Sequence, residues 1–104
     1  MLTTIKNLFG LEKTDYAQLA HDGAIILDVR SKSEYNGGHI KGSINIALDQ
    51  LGSNLSKLND KNKTIIACCA SGMRSASAAS FLKLNGYTSV YNGGGWQSLN
   101  QKIK

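Results

Sequence analysis

Two adjacent thiols, an arginine and a serine are gathered in one short stretch, Cys68-Cys69-Ala70-Ser71-Gly72-Met73-Arg74-Ser75. A cysteine that attacks does so as its thiolate. A helix N-terminus or a neighbouring guanidinium lowers its pKa from about 8.5 to roughly 3.5–7.5. The apolar run Ile65-Ile66-Ala67 leads into the thiols, and a segment suited to helix begins near Arg74-Ser75. Strand, thiol, tight loop, arginine and helix start therefore follow in order. The unpaired N–H groups of a helix start favour an anion, so the stretch predicts a cradle for a thiolate. Small side chains at Ala70, Ser71 and Gly72 let the backbone curl round the sulfur, with Gly72 free to take positive φ. Met73 completes the loop interior. Arg74 is placed to hold an oxyanion or the loop itself. Ser75 is placed to cap the helix and donate a hydrogen bond near the sulfur.

The elements that must position this loop follow from pattern. A weakly amphipathic arm (Leu2, Ile5, Leu8, Phe9) covers residues 1–13, and a core spans 14–104. Asp15-x-x-Gln18 has capping-box spacing and opens a short helix. Ala24-Ile25-Ile26-Leu27 is a continuous apolar run ending at Asp28-Val29-Arg30, as expected for a strand buried on both faces. Ser31-x-x-Glu34 opens one or two helical turns that Gly37-Gly38 ends. Ser43 to Ile46 alternates like a strand. Leu48, Leu51, Leu55 and Leu58 mark one face of a helix. After the cysteine strand and its helix, Asn85-Gly86 is a left-handed stop with Tyr87 folding back. Ser89-Val90-Tyr91 is a last strand, Asn92 to Gly95 a turn, and Trp96, Leu99 and Ile103 a final helix. Strands alternating with helices predict an α/β fold: an open, mainly parallel sheet of about four to five strands with helices on both faces. Ligands of such sheets sit at the strands' C-terminal ends. Asp28-Arg30, Cys68-Cys69 and Asn92-Gly93 should therefore converge.

Composition narrows the function classes. A chain of 104 residues is one domain, and 41% hydrophobic with 18% charged residues is ordinary for a globular chain. The net charge of +5 would attract an anionic substrate or an acidic partner. The lysines are scattered with no basic-aromatic block, so no nucleic-acid partner is expected. No apolar run approaches the roughly 20 residues of a membrane span, and the N-terminus lacks the pattern of a signal peptide. Adjacent cysteines close no useful disulfide loop, so reduced thiols in the cytoplasm are expected. No Cys/His spacing suggests zinc, and Gly93-Gly94-Gly95 lacks the spacing of a dinucleotide fingerprint. Neither a metal nor a cofactor is expected.

The set Leu27-Asp28-Val29-Arg30, Glu34-Tyr35, Gly38-His39-Ile40-x-Gly42-Ser43-x-Asn45-Ile46, Cys69-x-x-Gly72-x-Arg74-Ser75, Gly86-Tyr87 and Gly93-Gly94-x-Trp96 resembles a rhodanese domain, over about Asp15 to Leu99. A single copy is similar to the stand-alone sulfurtransferases. The resemblance implies that Cys69 takes the outer sulfur of a small anionic donor such as thiosulfate, holds it as a persulfide, and passes it to cyanide or a thiol, a redox protein among the candidate acceptors. Lys41 and Ala47 stand where family members often carry proline, which removes stiffness but no catalytic group.

Two registers compete in the doubled cysteine. Four residues separate Cys69 from Arg74, the rhodanese interval. Five separate Cys68 from it, as in cysteine-dependent phosphatases and arsenate reductases, whose longer loop fits a tetrahedral phosphate. Gly72, Arg74 and Ser75 match the sulfurtransferase pattern when counted from Cys69. Cys68 continues the apolar strand, where a free cysteine behaves as a small buried hydrophobe. The expectation is a Cys69 sulfurtransferase, with the Cys68 phosphatase or reductase and a non-catalytic sulfur-carrier or interaction module as alternatives. Asp28 and Arg30 support the loop or form an ion pair at a strand end. His39, between Gly38 and Ile40, is read as making a structural hydrogen bond.

Overall fold

The computed structural model describes residues 13–104, so nearly all of the arm expected over residues 1–13 lies outside the described residues. Helix α1 (Tyr16–His21) starts where the Asp15 carboxylate accepts the Gln18 N–H at 3.0 Å. The Gln18 side chain bonds Asp22 instead of reaching back, so only half of the expected box forms. Strand β1 (Ile25–Asp28) leads to α2 (Lys32–Asn36), whose Ser31/Glu34 capping box is complete. Then come the short β2 (Ile44–Asn45), a 3-10 segment (Leu48–Leu58), β3 (Ile65–Cys69), α3 (Met73–Leu84), β4 (Val90–Gly95) and α4 (Trp96–Ile103). The four strands pair in the order β2-β1-β3-β4, every neighbour parallel, as the alternation of strands and helices predicts. Among the described residues, no helix is long and apolar enough to cross a membrane.

Successive side chains of a strand point to opposite faces, and β3 splits the core accordingly. Ile65, Ala67 and Cys69 pack with Leu27, Val29, Leu51, Leu58, Ala78 and Leu82 beneath α3 and the 3-10 segment. Ile66 and Cys68 pack on the other face with Ile26, Ile40 and Leu99, flanked by Tyr16, Leu19 and Trp96 from α1 and α4. Burying each Leu or Ile stabilises by about 1.5–3 kcal/mol. The sheet is thereby fixed on both sides and its C-terminal edge left for the loops.

Three elements differ in kind from expectation. The Leu48–Leu58 stretch buries Leu51 and Leu58 as its spacing requires, but as 3-10 turns broken at Asn54 (φ −127, ψ 22). The Asn54 side-chain amide donates to the Gln50 carbonyl at 2.8 Å, competing with the backbone for helical pairing. The alternating run from Ser43 to Ile46 pairs only at Ile44 and Asn45. Strand β4 runs on through Gly95, where a turn is expected at Asn92. A register shift between Ala67 and Cys68 pairs Ala67 with Asn92 but Cys68 with Gly94. The bulge leaves Gly93 facing the core, where a Cβ would lie 2.7 Å from Ile66 Cγ2 and 2.9 Å from Leu99 Cδ2. Helix α3 stops as expected: Gly86 takes φ +90, the Tyr87 N–H donates to the Leu82 carbonyl at 3.1 Å, and the Tyr87 hydroxyl donates to Leu58 at 2.7 Å.

Candidate active site

The opposite facing of adjacent strand residues separates the two thiols. Cys68 is fully buried among Ile26, Ile40, Ile66 and Leu99. Burial, then the neighbouring Asp28 charge, pushes its pKa up to about 12. Cys69 lies on the α3 face, at the floor of the loop Ala70–Gly72. Its sulfur accepts the Gly72 N–H at 3.0 Å and the Ser75 N–H at 3.3 Å. Burial pushes the Cys69 thiol up, but the Ser75 side chain and the N–H groups of Ser75, Gly72 and Ser71 outweigh it, and its pKa falls below the ordinary value. The two thiols are therefore shifted in opposite directions, Cys68 up and Cys69 down.

The loop owes its curvature to Gly72, which takes φ +101 and stands at the N-cap of α3. Its missing Cβ would lie 3.3 Å from Gly94 Cα, so β4 closes against the loop at that point. Gly95 makes the second close approach, since a Cβ there would meet the Ala70 carbonyl at 3.0 Å. Ala70, Ser71 and Met73 are exposed on the rim, while Cys69 itself is 0% exposed. The loop and α3 thus enclose the sulfur.

Ser75 does not cap α3. It is the helix's third residue, and its hydroxyl points inward, 3.4 Å from Cys69 Sγ and 2.6 Å from Asn92 Oδ1. Arg74 leaves the loop sideways, gripping both carboxylate oxygens of Glu34 at 2.7 and 2.9 Å. The Arg74 guanidinium, then the Ser31 N–H, holds the Glu34 carboxyl down at about 2. Asp28 and Arg30 form a buried fork. The guanidinium takes both Asp28 oxygens, at 2.7 Å for the shortest contact, and the Gly38 carbonyl at 2.7 Å, and lies 4.6 Å from the centre of the Trp96 ring. None of the hydrogen bonds of this pair reaches Cys69 or its loop; they tie the end of β1 to the turn after α2. His39 bonds the Tyr35 carbonyl at 2.7 Å and stacks on that ring, in the structural role expected.

The strand ends converge as expected: Asp28 is paired with Cys68, and Ala67 with Asn92. What the sequence did not disclose is the part played by Asn92. Its side chain touches Ser75, Gly72 and Gly94 at once, and the Tyr16 hydroxyl donates to its carbonyl at 3.0 Å. The available signal was an asparagine at a strand end just before a glycine run. Beside Arg74, a cleft of about 450 Å³ is lined by Val29, Ser31, Ala47, Leu48 and Asp49.

Parallel sheet, cysteine at a strand end, and N–H groups turned onto its sulfur define a thiolate-cradling α/β domain. A model of the rhodanese-like domain matches residues 12–102. The chain belongs to the rhodanese-like domain family. It is 39% identical over 82 residues to the uncharacterized protein YqhL of Bacillus subtilis strain 168, covering 78% of this chain and 64% of that one. It is 35% identical over 74 residues to the thiosulfate sulfurtransferase PspE of Escherichia coli K12, covering 70% and 71%. A solved rhodanese with anions from E. coli superposes with a TM-score of 0.68 at 34% identity, over 72% of this chain and 89% of that one.

Proposed function

We propose that the protein is a sulfurtransferase that carries a sulfane sulfur on Cys69. The observation that carries this is the pair of backbone N–H groups, from Gly72 and Ser75, turned onto the Cys69 sulfur at 3.0 and 3.3 Å. The thiolate attacks the outer sulfur of a donor such as thiosulfate. A bond forms between Cys69 Sγ and that sulfur, the donor's own S–S bond breaks, and sulfite leaves with the electron pair. A thiolate or cyanide then attacks the outer sulfur, and Cys69 Sγ departs as thiolate with the pair from the bond it loses. Donors fixed at a helix N-terminus stabilise the negative sulfur in both half-reactions. The sheltered sulfur favours a donor that presents a single terminal atom. PspE, a thiosulfate sulfurtransferase by name, supports thiosulfate as the first donor to try. The cytoplasm suits this chemistry, which needs Cys69 reduced.

Against a phosphatase or arsenate reductase working through Cys68 stands the placement of that thiol, buried on the opposite face of the sheet with its pKa pushed up. A carrier that hands sulfur only to a partner protein uses the same Cys69 persulfide and differs in its acceptor. The test is thiosulfate:cyanide sulfur transfer by the purified protein. Activity in the parent chain and its loss in Cys69→Ser are expected. Full activity in Cys69→Ser would refute the assignment.

A further inference from the structure

The Ser75 hydroxyl lies between Cys69 Sγ and Asn92 Oδ1 and has one proton. Cys69 Sγ is 3.4 Å from its oxygen on one side, and Asn92 Oδ1 is 2.6 Å away on the other. The orientation of the Asn92 amide is not free. The Gly94 N–H, which can only donate, faces one end of it at 3.0 Å, and the Gly72 carbonyl, which can only accept, faces the other at 3.3 Å. The atom toward Gly94 and Ser75 must therefore be the amide oxygen. With its proton on Asn92, Ser75 turns a lone pair toward Cys69 and can accept from a thiol. To serve a thiolate, the hydroxyl must rotate and release Asn92.

We propose that Asn92 is a positioning residue that competes with Cys69 for the proton of Ser75 and so sets when the inner sulfur is stabilised as an anion. Its use rests on the sulfur-transfer reading. In the persulfide the negative charge lies on the outer sulfur, the inner sulfur needs no donor, and Asn92 holds the hydroxyl. When an acceptor takes the outer sulfur, the inner S–S bond breaks and Cys69 keeps the electron pair. The Ser75 O–H then turns to the new thiolate without any proton leaving its oxygen. The same amide holds Gly72 through its carbonyl, so loop shape and hydroxyl direction are set by one side chain.

A double-mutant cycle on the pH dependence of Cys69 alkylation by iodoacetamide, with the adduct mapped to Cys69 by mass, separates the two duties. The readout is independent of any sulfur transfer, so failure of this proposal and failure of the enzymatic reading are distinguishable. Asn92→Ala loosens the loop whether or not Ser75 is present, but frees a proton only when it is. The shift in alkylation midpoint caused by Asn92→Ala is expected to lie lower by about one pH unit, tenfold in thiolate fraction, in the parent than in the Ser75→Ala background. If Asn92→Ala does not fold, Asn92→Asp replaces it. A carboxylate holds the Ser75 proton more firmly, so the midpoint should rise further in the parent than in Ser75→Ala. Equal shifts in the two backgrounds would overturn the proposal.

Discussion

The Glu34 carboxylate meets the Arg74 guanidinium through two hydrogen bonds, 2.7 and 2.9 Å long, although forty positions separate the two residues. Glu34 Oε1 also accepts the Ser31 N–H at 3.0 Å, so the carboxylate that caps α2 also braces the sulfur loop. A pH dependence follows. The ordinary Glu value of 4.5 falls to about 2 in the folded chain. A depressed carboxylate contributes stability that is present above its unfolded value and lost as pH falls through the folded one. The difference in unfolding free energy between parent and Glu34→Gln should therefore shrink between about pH 5 and pH 2. Urea titrations across that range measure it, and a difference that stays constant would contradict the linkage.

Gly72 and Gly93 should resist substitution for different reasons. Gly72→Ala forces a Cβ into φ +101 and against Gly94 Cα, at a cost of about 1–2 kcal/mol. It also moves the N–H that faces Cys69, so activity should fall about tenfold or more. Gly93→Ala drives a Cβ against Ile66 and Leu99 and should lose about 1–3 kcal/mol through overpacking. Denaturant midpoints paired with sulfur-transfer rates distinguish the two patterns. A Gly72→Ala variant with parental activity would contradict the role given to the loop.

Cys68→Ser should separate stability from catalysis in the opposite sense. A serine hydroxyl placed among Ile26, Ile40, Ile66 and Leu99 has no partner from those side chains and should cost about 1–3 kcal/mol. Cys68→Ala leaves no polar group and should be milder. Both should keep sulfur transfer within about threefold of the parent, as expected for a site outside the reacting group. Loss of activity in a folded Cys68→Ala variant would mean that the second thiol takes part.

The sheet and its parallel strands were legible because they follow from local pattern. The apolar runs at Ile25–Leu27 and Ile65–Ala67, the box at Ser31 and Glu34, and the stop at Gly86 each act within a few residues. The preference for Cys69 rests on its spacing to Gly72, Arg74 and Ser75; the facing of the two thiols comes from the fold, which turns Cys69 toward α3 and Cys68 to the other side of the sheet. The 3-10 path of Leu48–Leu58 was not legible, because leucines three and four apart satisfy either helix, and the break falls at Asn54, whose side chain bonds the Gln50 carbonyl. The bulge that carries β4 through Gly95 was hidden because it depends on how Gly93 fits against Ile66 and Leu99. Ser75 was expected to cap its helix. It does not, because α3 begins at Met73 with Gly72 as its cap, whereas the placement near the sulfur that was also expected of it is found. The pairings of Arg74 with Glu34 and of Ser75 with Asn92 join segments that only the sheet order brings together.

The central claim is that Cys69, and not Cys68, carries sulfur. Intact mass after incubation with thiosulfate and removal of excess donor tests it directly. The parent chain and Cys68→Ala should each gain about 32 Da, one sulfur atom, which is then released by cyanide, and Cys69→Ser should gain nothing. A gain that persists in Cys69→Ser and disappears in Cys68→Ala would contradict the assignment.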